Sequence, residues 1–199
     1  HPVAQAADVA EQPVAVQLLE TPVVLWRDAR GAAHAWDDRC PHRGAALSRG
    51  RVHQGRLECA YHGWQFDAAA QCVHVPALPS FAPPATHCAQ AYALREAYGL
   101  LWVRLAVNES EGEGEGGGKS ESEVPAFAAE HDTRLRKVNC GPYTVQTSAP
   151  RIVENFLDMS HFGFVHEGWL GARSHTAMQD YEVQRTASGI LATQCFAWQ

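Results

Sequence analysis

The sequence has no apolar run approaching the roughly 18 residues that a membrane-spanning helix needs, so no span is expected. It has no basic excess either: 16 Lys and Arg stand against 22 Asp and Glu, for a formal net charge of −6. That imbalance is local, because the stretch 109–123 (ESEGEGEGGGKSESE) carries six Glu and one Lys, leaving the rest of the chain near neutral. No basic stripe is present to grip a nucleic acid backbone, and no nucleic acid partner is expected. Cysteine is sparse. The six, at 40, 59, 72, 88, 140 and 195, are too scattered for the disulfide framework of a small secreted domain, and read as thiols or ligands. No signal or transit peptide is visible. The chain opens at His1-Pro2-Val3 without an initiator Met, which reads as a fragment or a processed form.

What is present is an ordinary globular composition, 46% hydrophobic and 19% charged, in a chain long enough for one large domain or two small ones. Short β-rich runs at 14–19, 22–27 and 33–37 are separated by turn residues, with Asp28-Ala29-Arg30-Gly31 marking a hairpin. Further short runs follow at 55–59, 63–67 and 71–75, and a longer hairpin joins 91–96 to 100–106 through Tyr98-Gly99. Many short strands at close spacing predict an all-β sandwich or small barrel. The Glu/Gly/Ser tract has no apolar residue to offset the entropy of ordering, and reads as a flexible insertion. After Val124-Pro125 the pattern changes. A strand-like run at 138–147 leads into a predicted helix over 148–160, with Ser148 as N-cap and Pro150 in its first turn. Gly163, Gly168 and Gly171 then interrupt it, and 181–186 and 190–197 read as a strand pair.

The chemistry is carried by Cys40-Pro41-His42 and Cys59-Ala60-Tyr61-His62, a C-x-H and a C-x-x-H separated by 16 residues. Each half offers one thiolate and one imidazole at turn spacing, so two loops can grip a small inorganic core from opposite sides. A [2Fe–2S] cluster with two Cys on one iron and two His on the other needs such a pairing. The His pair has an electronic consequence. Two Fe³⁺, two sulfides and two thiolates sum to zero charge, whereas four thiolates leave a net negative cluster that accepts an electron less readily. A Cys2His2 zinc site is the bland alternative, although zinc motifs pair Cys with Cys and His with His. Cys72 and His74 lie nearby but outside the ligand pattern, and read as packing residues.

CPHRGA and CAYHGWQF resemble the cluster loops of the Rieske-type non-haem iron oxygenases, and 55–79 resembles the pheophorbide a oxygenase group. The Rieske proteins of respiratory and photosynthetic complexes carry an extra Cys in each loop, where Ala45 and Tyr61 stand here. Asp158-Met-Ser-His161-Phe-Gly-Phe-Val-His166 supplies a second candidate centre. On one continuous helix Asn155, Asp158 and His161 lie at i, i+3 and i+6, near one face. Gly163 then releases the chain so that His166 turns back toward His161. The lead-in RIVENFLD (151–158) resembles aminopyrrolnitrin oxygenase and the O-demethylases.

The resemblance implies that Cys40, His42, Cys59 and His62 bind the [2Fe–2S] cluster and that His161 and His166 ligate a mononuclear Fe(II). It further implies that Asp158 bridges electrons to His62 of a neighbouring subunit in a homotrimer, with Asn155 supporting the ligands from behind. O₂ would be co-substrate, a reductase or ferredoxin the electron donor, and an aromatic or heterocyclic small molecule the substrate. The cytoplasm is the expected compartment, with a plastid as alternative. The expected fold class is α+β: an all-β Rieske domain over 1–107, an insertion over 108–124, then from 125 to 199 the beginning of a mixed α/β catalytic domain of helix-grip type. The family's carboxylate iron ligand comes well beyond the two histidines. Glu167, Asp180 and Glu182 do not occupy that place, so the chain reads as truncated in its catalytic domain. Two rival readings keep only the cluster, a Rieske ferredoxin and a redox sensor. The histidine pair after residue 148 argues against the ferredoxin, since a pure carrier has no use for a second metal-binding region.

Overall fold

The computed structural model describes residues 1–105, 124–141, 143–187 and 189–196. The insertion expected over 108–124 therefore lies almost wholly outside the described residues. Two compact units are present, His1–Lys137 and Val138–Gln199.

In the first unit the alternating runs become strands close to where the sequence pattern puts them. In chain order they are β1 (Pro2–Gln5), β2 (Val14–Leu18), β3 (Thr21–Arg27), β4 (Ala33–Asp37), β5 (Arg51–His53), β6 (Arg56–Glu58), β7 (Gln65–Phe66), β8 (Cys72–His74), β9 (Ala91–Ala97) and β10 (Leu100–Arg104). They form a six-stranded sheet in the order β1-β10-β9-β4-β3-β2 and a four-stranded sheet in the order β5-β6-β7-β8, with antiparallel pairing throughout.

β3 explains how the two sheets share a core. Within its sequence TPVVLWR, residues 22–26 (PVVLW) are a continuous apolar run, and Val23 to Trp26 are all buried, the pattern of a strand buried on both faces. Because side chains alternate, Val23 and Leu25 join one cluster with Ala35, Leu101 and Val103. Val24 and Trp26 point to the opposite face, into a second cluster with Trp36, Leu57, Phe66, Cys40 and Cys59. Trp36 meets Phe66 edge to face at 6.4 Å, joining the large sheet to the small one. Cys40 and Cys59 are thus rooted in a tryptophan-rich core between the sheets.

Residues 124–137 belong by their contacts to the first unit, whereas the sequence reading begins the second domain at 125. The reason is Tyr98. Its hydroxyl donates to the Pro125 carbonyl and accepts from the Phe127 N–H, and its ring meets Phe127 edge to face.

The second unit holds α1 (Ala149–Leu157), α2 (Phe162–Val165) and the hairpin of β11 (Glu182–Thr186) with β12 (Gly189–Thr193). Three expectations are corrected here. The described residues of 138–147 form no strand. The helix expected to run to 160 ends at Leu157, where Asp158 turns extended at φ −80° and ψ 121°. Gly163 does not break a helix but sits buried inside α2, where a Cβ would lie 3.0 Å from the Ala172 carbonyl oxygen. It serves close packing, with Gly171 crossing directly over it. No helix among the described residues is long and apolar enough to cross a membrane.

Candidate metal centres

Cys40 and Cys59 each open a loop of the same form. The Cys40 N–H donates to the Ala45 carbonyl and the Gly44 N–H returns to the Cys40 carbonyl, both at 2.8 Å. In the second loop Cys59 N–H donates to Trp64 O at 2.9 Å and Gly63 N–H to Cys59 O at 3.0 Å. Gly44 and Gly63 take φ of +71° and +70°, the left-handed turn that a Cβ disfavours. One chain reversal is therefore built twice, from C-P-H-R-G and C-A-Y-H-G, although the histidine falls two residues after the first cysteine and three after the second.

The loops bring like with like. Cys40 and Cys59 are both buried in one core cluster, close enough that Cys59 helps to push the Cys40 thiol up. His42 and His62 have ring centres 4.6 Å apart at 64°. With metal–nitrogen bonds of about 2.1 Å, two imidazoles meeting one ion at about 90–110° have ring centres about 4.5–5.2 Å apart. The pair has that spacing. His42 Nδ1 is buried and has no hydrogen-bond partner among the described residues, which is costly unless a metal occupies its lone pair. Among the described residues no three His, Cys, Asp or Glu converge as one ion would require. A single zinc needs all four ligands on one centre, whereas a binuclear cluster needs a Cys pair and a His pair held apart. The arrangement fits the second.

Burial pushes the Cys40 thiol up to about 11, the His42 and Arg43 amides work against that, and Cys59 adds to it. A thiol so placed becomes a thiolate when a cation sits beside it. Burial lowers His42, and the neighbouring His62, Arg43 and His87 lower it further, which favours the neutral imidazole that a metal binds. Trp64 stacks flat on His42 at 4.4 Å and 5°, and His87 meets the same Trp64 ring at 5.2 Å, tilted by 41°. Sequence reading passed over His87, which lies 25 residues beyond His62 with no motif to mark it. Cys72 is buried in the core and His74 is half-buried.

In the second unit the expected single helical face does not hold. Asn155 stays in the last turn of α1, exposed, while Asp158 and His161 lie beyond the helix end. What joins them is a side-chain turn. Asp158 Oδ1 accepts the Ser160 N–H at 2.8 Å and the Ser160 hydroxyl at 2.5 Å, and Oδ2 meets His161 Nδ1 at 2.9 Å. Such local bonding competes with the helix and stops it there. Ser160 and then His161 draw the Asp158 carboxyl down to about 2, so it is ionised at neutral pH. With Nδ1 occupied, His161 presents Nε2 outward.

α2 is a single turn with His161 at its start and His166 at its end. That turn sets their ring centres 5.2 Å apart at 63°, again a spacing at which two imidazoles can share an ion. No carboxylate joins them among the described residues: Glu167 is paired with Arg173 at 2.7 Å, and Asp180 and Glu182 are exposed.

Comparison with known proteins agrees at both ends of the chain. Residues 1–92 match the Rieske [2Fe-2S] domain, and residues 145–196 match the vanillate O-demethylase oxygenase C-terminal domain. The chain is 38% identical over 176 residues to methylxanthine N1-demethylase NdmA of Pseudomonas putida, covering 85% of this chain and 47% of that protein. It is 31% identical to the chloroplastic protein TIC 55 of Pisum sativum, over 90% of this chain and 32% of that one. It is 32% identical to the oxygenase component of dicamba O-demethylase of Stenotrophomonas maltophilia, over 80% and 44%. The solved structure of NdmA with caffeine superposes with a TM-score of 0.81 at 34% identity, over 96% of this chain and 54% of that one. The chain thus spans about half the length, or less, of these relatives. A Rieske domain joined in one polypeptide to sequence of the O-demethylase type places this chain in the family of Rieske-type non-haem iron oxygenases.

Proposed function

We propose that the protein acts as a terminal oxygenase that hydroxylates or demethylates an aromatic or heterocyclic small molecule. The observation that carries this reading is the coexistence of two imidazole pairs, His42 with His62 and His161 with His166, each at metal-sharing distance. A carrier or redox sensor needs only the first, and the match of residues 145–196 to an oxygenase domain disfavours both rivals.

Cys40, Cys59, His42 and His62 hold the [2Fe–2S] cluster, which supplies one-electron transfer. His161 and His166 hold an Fe(II), which supplies O₂ activation. The chain's own residues position these groups. The Asp158 carboxylate keeps the His161 proton on Nδ1 and fixes the ring, and its exposed oxygen edge is available to a ligand histidine of a neighbouring subunit in a homotrimer. Exposed His62 is that ligand. Electrons come from a separate reductase or ferredoxin. N-methyl and methoxy aromatic compounds are the proposed substrates, by analogy with the names of the demethylase relatives. A bacterial cytoplasm is the proposed compartment, and a plastid is the alternative supported by TIC 55.

Iron and sulfide analysis of anaerobically purified protein, with EPR of the dithionite-reduced form, tests the reading. A Rieske signal with two sulfides and a third iron supports it, and protein that binds no cluster overturns it. Asp158→Asn is expected to keep the third iron and to slow electron delivery about 10- to 100-fold, the usual cost of losing an outer partner of a ligand histidine. Rapid-mixing measurement of cluster reoxidation reads this directly, and loss of iron would instead make Asp158 a ligand.

A further inference from the structure

The two cluster loops are alike inside and unlike at their mouths. The loop 59–64 leaves β6 and returns into β7, whose residues Glu58 and Gln65 are ladder partners immediately flanking it. Strand pairing therefore closes the second loop. The first loop has no such closure. It leaves β4, which pairs with β3 and β9, and leads toward β5, which pairs with β6; among the described residues no ladder links β4 to β5.

Its two ends are joined instead by side chains. Asp38 Oδ1 accepts the Ser48 N–H at 2.7 Å, and Oδ2 accepts the Ser48 hydroxyl at 2.6 Å. Both carboxylate oxygens are spent on one residue ten positions away, across the loop that carries Cys40 and His42. Each end is anchored in turn. The Asp38 N–H donates to the Pro22 carbonyl at 3.1 Å, and Leu47, next to Ser48, is fully buried in the core that holds Cys40 and Cys59. Hydrogen bonds to a carboxylate are stronger than neutral ones, so two from a single partner make a stiff link.

We propose that the Asp38–Ser48 pair is a side-chain clasp that does for the first cluster loop what strand pairing does for the second. Asp38 is then a positioning residue that fixes the orientation of His42 toward the cluster. The inference rests on the assignment of Cys40 and His42 as cluster ligands, but the clasp itself has a readout that does not.

Hydrogen exchange on Asp38→Ala and Ser48→Ala should show amides 42–46 exchanging about ten- to hundredfold faster, as loss of such bonds implies, with amides 60–64 and β3 unchanged. In cluster-loaded protein the same variants should broaden or shift the reduced EPR spectrum and move the reduction potential, and Ser48→Thr, which keeps the hydroxyl, should restore both. Equal acceleration in both loops would mean general destabilisation, and would overturn the proposal. So would an unchanged first loop, or a wild-type spectrum and potential in both variants. Should Asp38→Ala fail to fold, Ser48→Ala, which keeps the backbone bond to Asp38, supports the same comparison. Wild-type protein without a Rieske signal would overturn the functional reading and the role at His42, while the exchange data would still decide the clasp.

Discussion

Replacing His161 with alanine in the full-length enzyme should remove the third iron and abolish oxygenation, while the cluster keeps its EPR spectrum. His161 is the better fixed of the two iron-side histidines, with Nδ1 on Asp158 at 2.9 Å and its ring 5.2 Å from that of His166. Removing it leaves one imidazole, and one imidazole does not hold a labile Fe(II) against buffer. The expected loss of turnover exceeds the roughly 100-fold that marks the upper end for outer partners, because a ligand itself is lost. The cluster should be untouched, since Cys40 and Cys59 are rooted in a core drawn wholly from the first unit. Metal analysis, EPR and a turnover assay on one preparation read all three effects. Retained oxygenation would end the iron-site assignment, and loss of the cluster would show that the variant had unfolded more widely.

The second large effect is expected from Cys59→Ser, which should lose the cluster entirely. Cys59 is 2% exposed, and a serine hydroxyl there cannot serve as a soft thiolate ligand. Burying that hydroxyl also costs about 1–3 kcal/mol, so the result needs a control that carries the same cost without the ligand. Cys72 provides one. It is 1% exposed in the same core, and its thiol reaches the His74 carbonyl at 3.7 Å. Cys72→Ser should therefore lose comparable stability in urea denaturation yet retain two irons and two sulfides. Cluster retention in Cys59→Ser, or equal loss in both variants, would remove Cys59 from the ligand set.

The first unit was legible because its signals are local. The run PVVLW at 22–26 is apolar throughout and became the centre of the strand buried on both faces, and the pair Tyr98-Gly99 became the predicted turn. Gly44 and Gly63 fell where the two loops reverse. The second unit misled where side chains compete with backbone. Helix periodicity carried Asn155, Asp158 and His161 onto one face, but Asp158 spends its carboxylate on Ser160 and His161 and so ends the helix. Gly163 looked like a breaker because an isolated glycine weakens a helix; its packing against Ala172 and Gly171 depends on a partner eight or nine residues away. Nothing in the local pattern at 138–147 distinguishes a strand from an extended connection.

By itself the sequence determined the candidate donor set, the spacing of C-x-H and C-x-x-H, the order of the two candidate centres, and the family. These depend on residue types at short separations, which are written directly in the chain. Only the tertiary structure decided that cysteine faces cysteine and histidine faces histidine, that Trp64 lies flat on His42, and that Asp38 reaches Ser48 across the first loop. Each of those contacts joins residues from different loops or from the two ends of one loop. Their distances are set by how two sheets pack around a shared core, a quantity that no local pattern encodes.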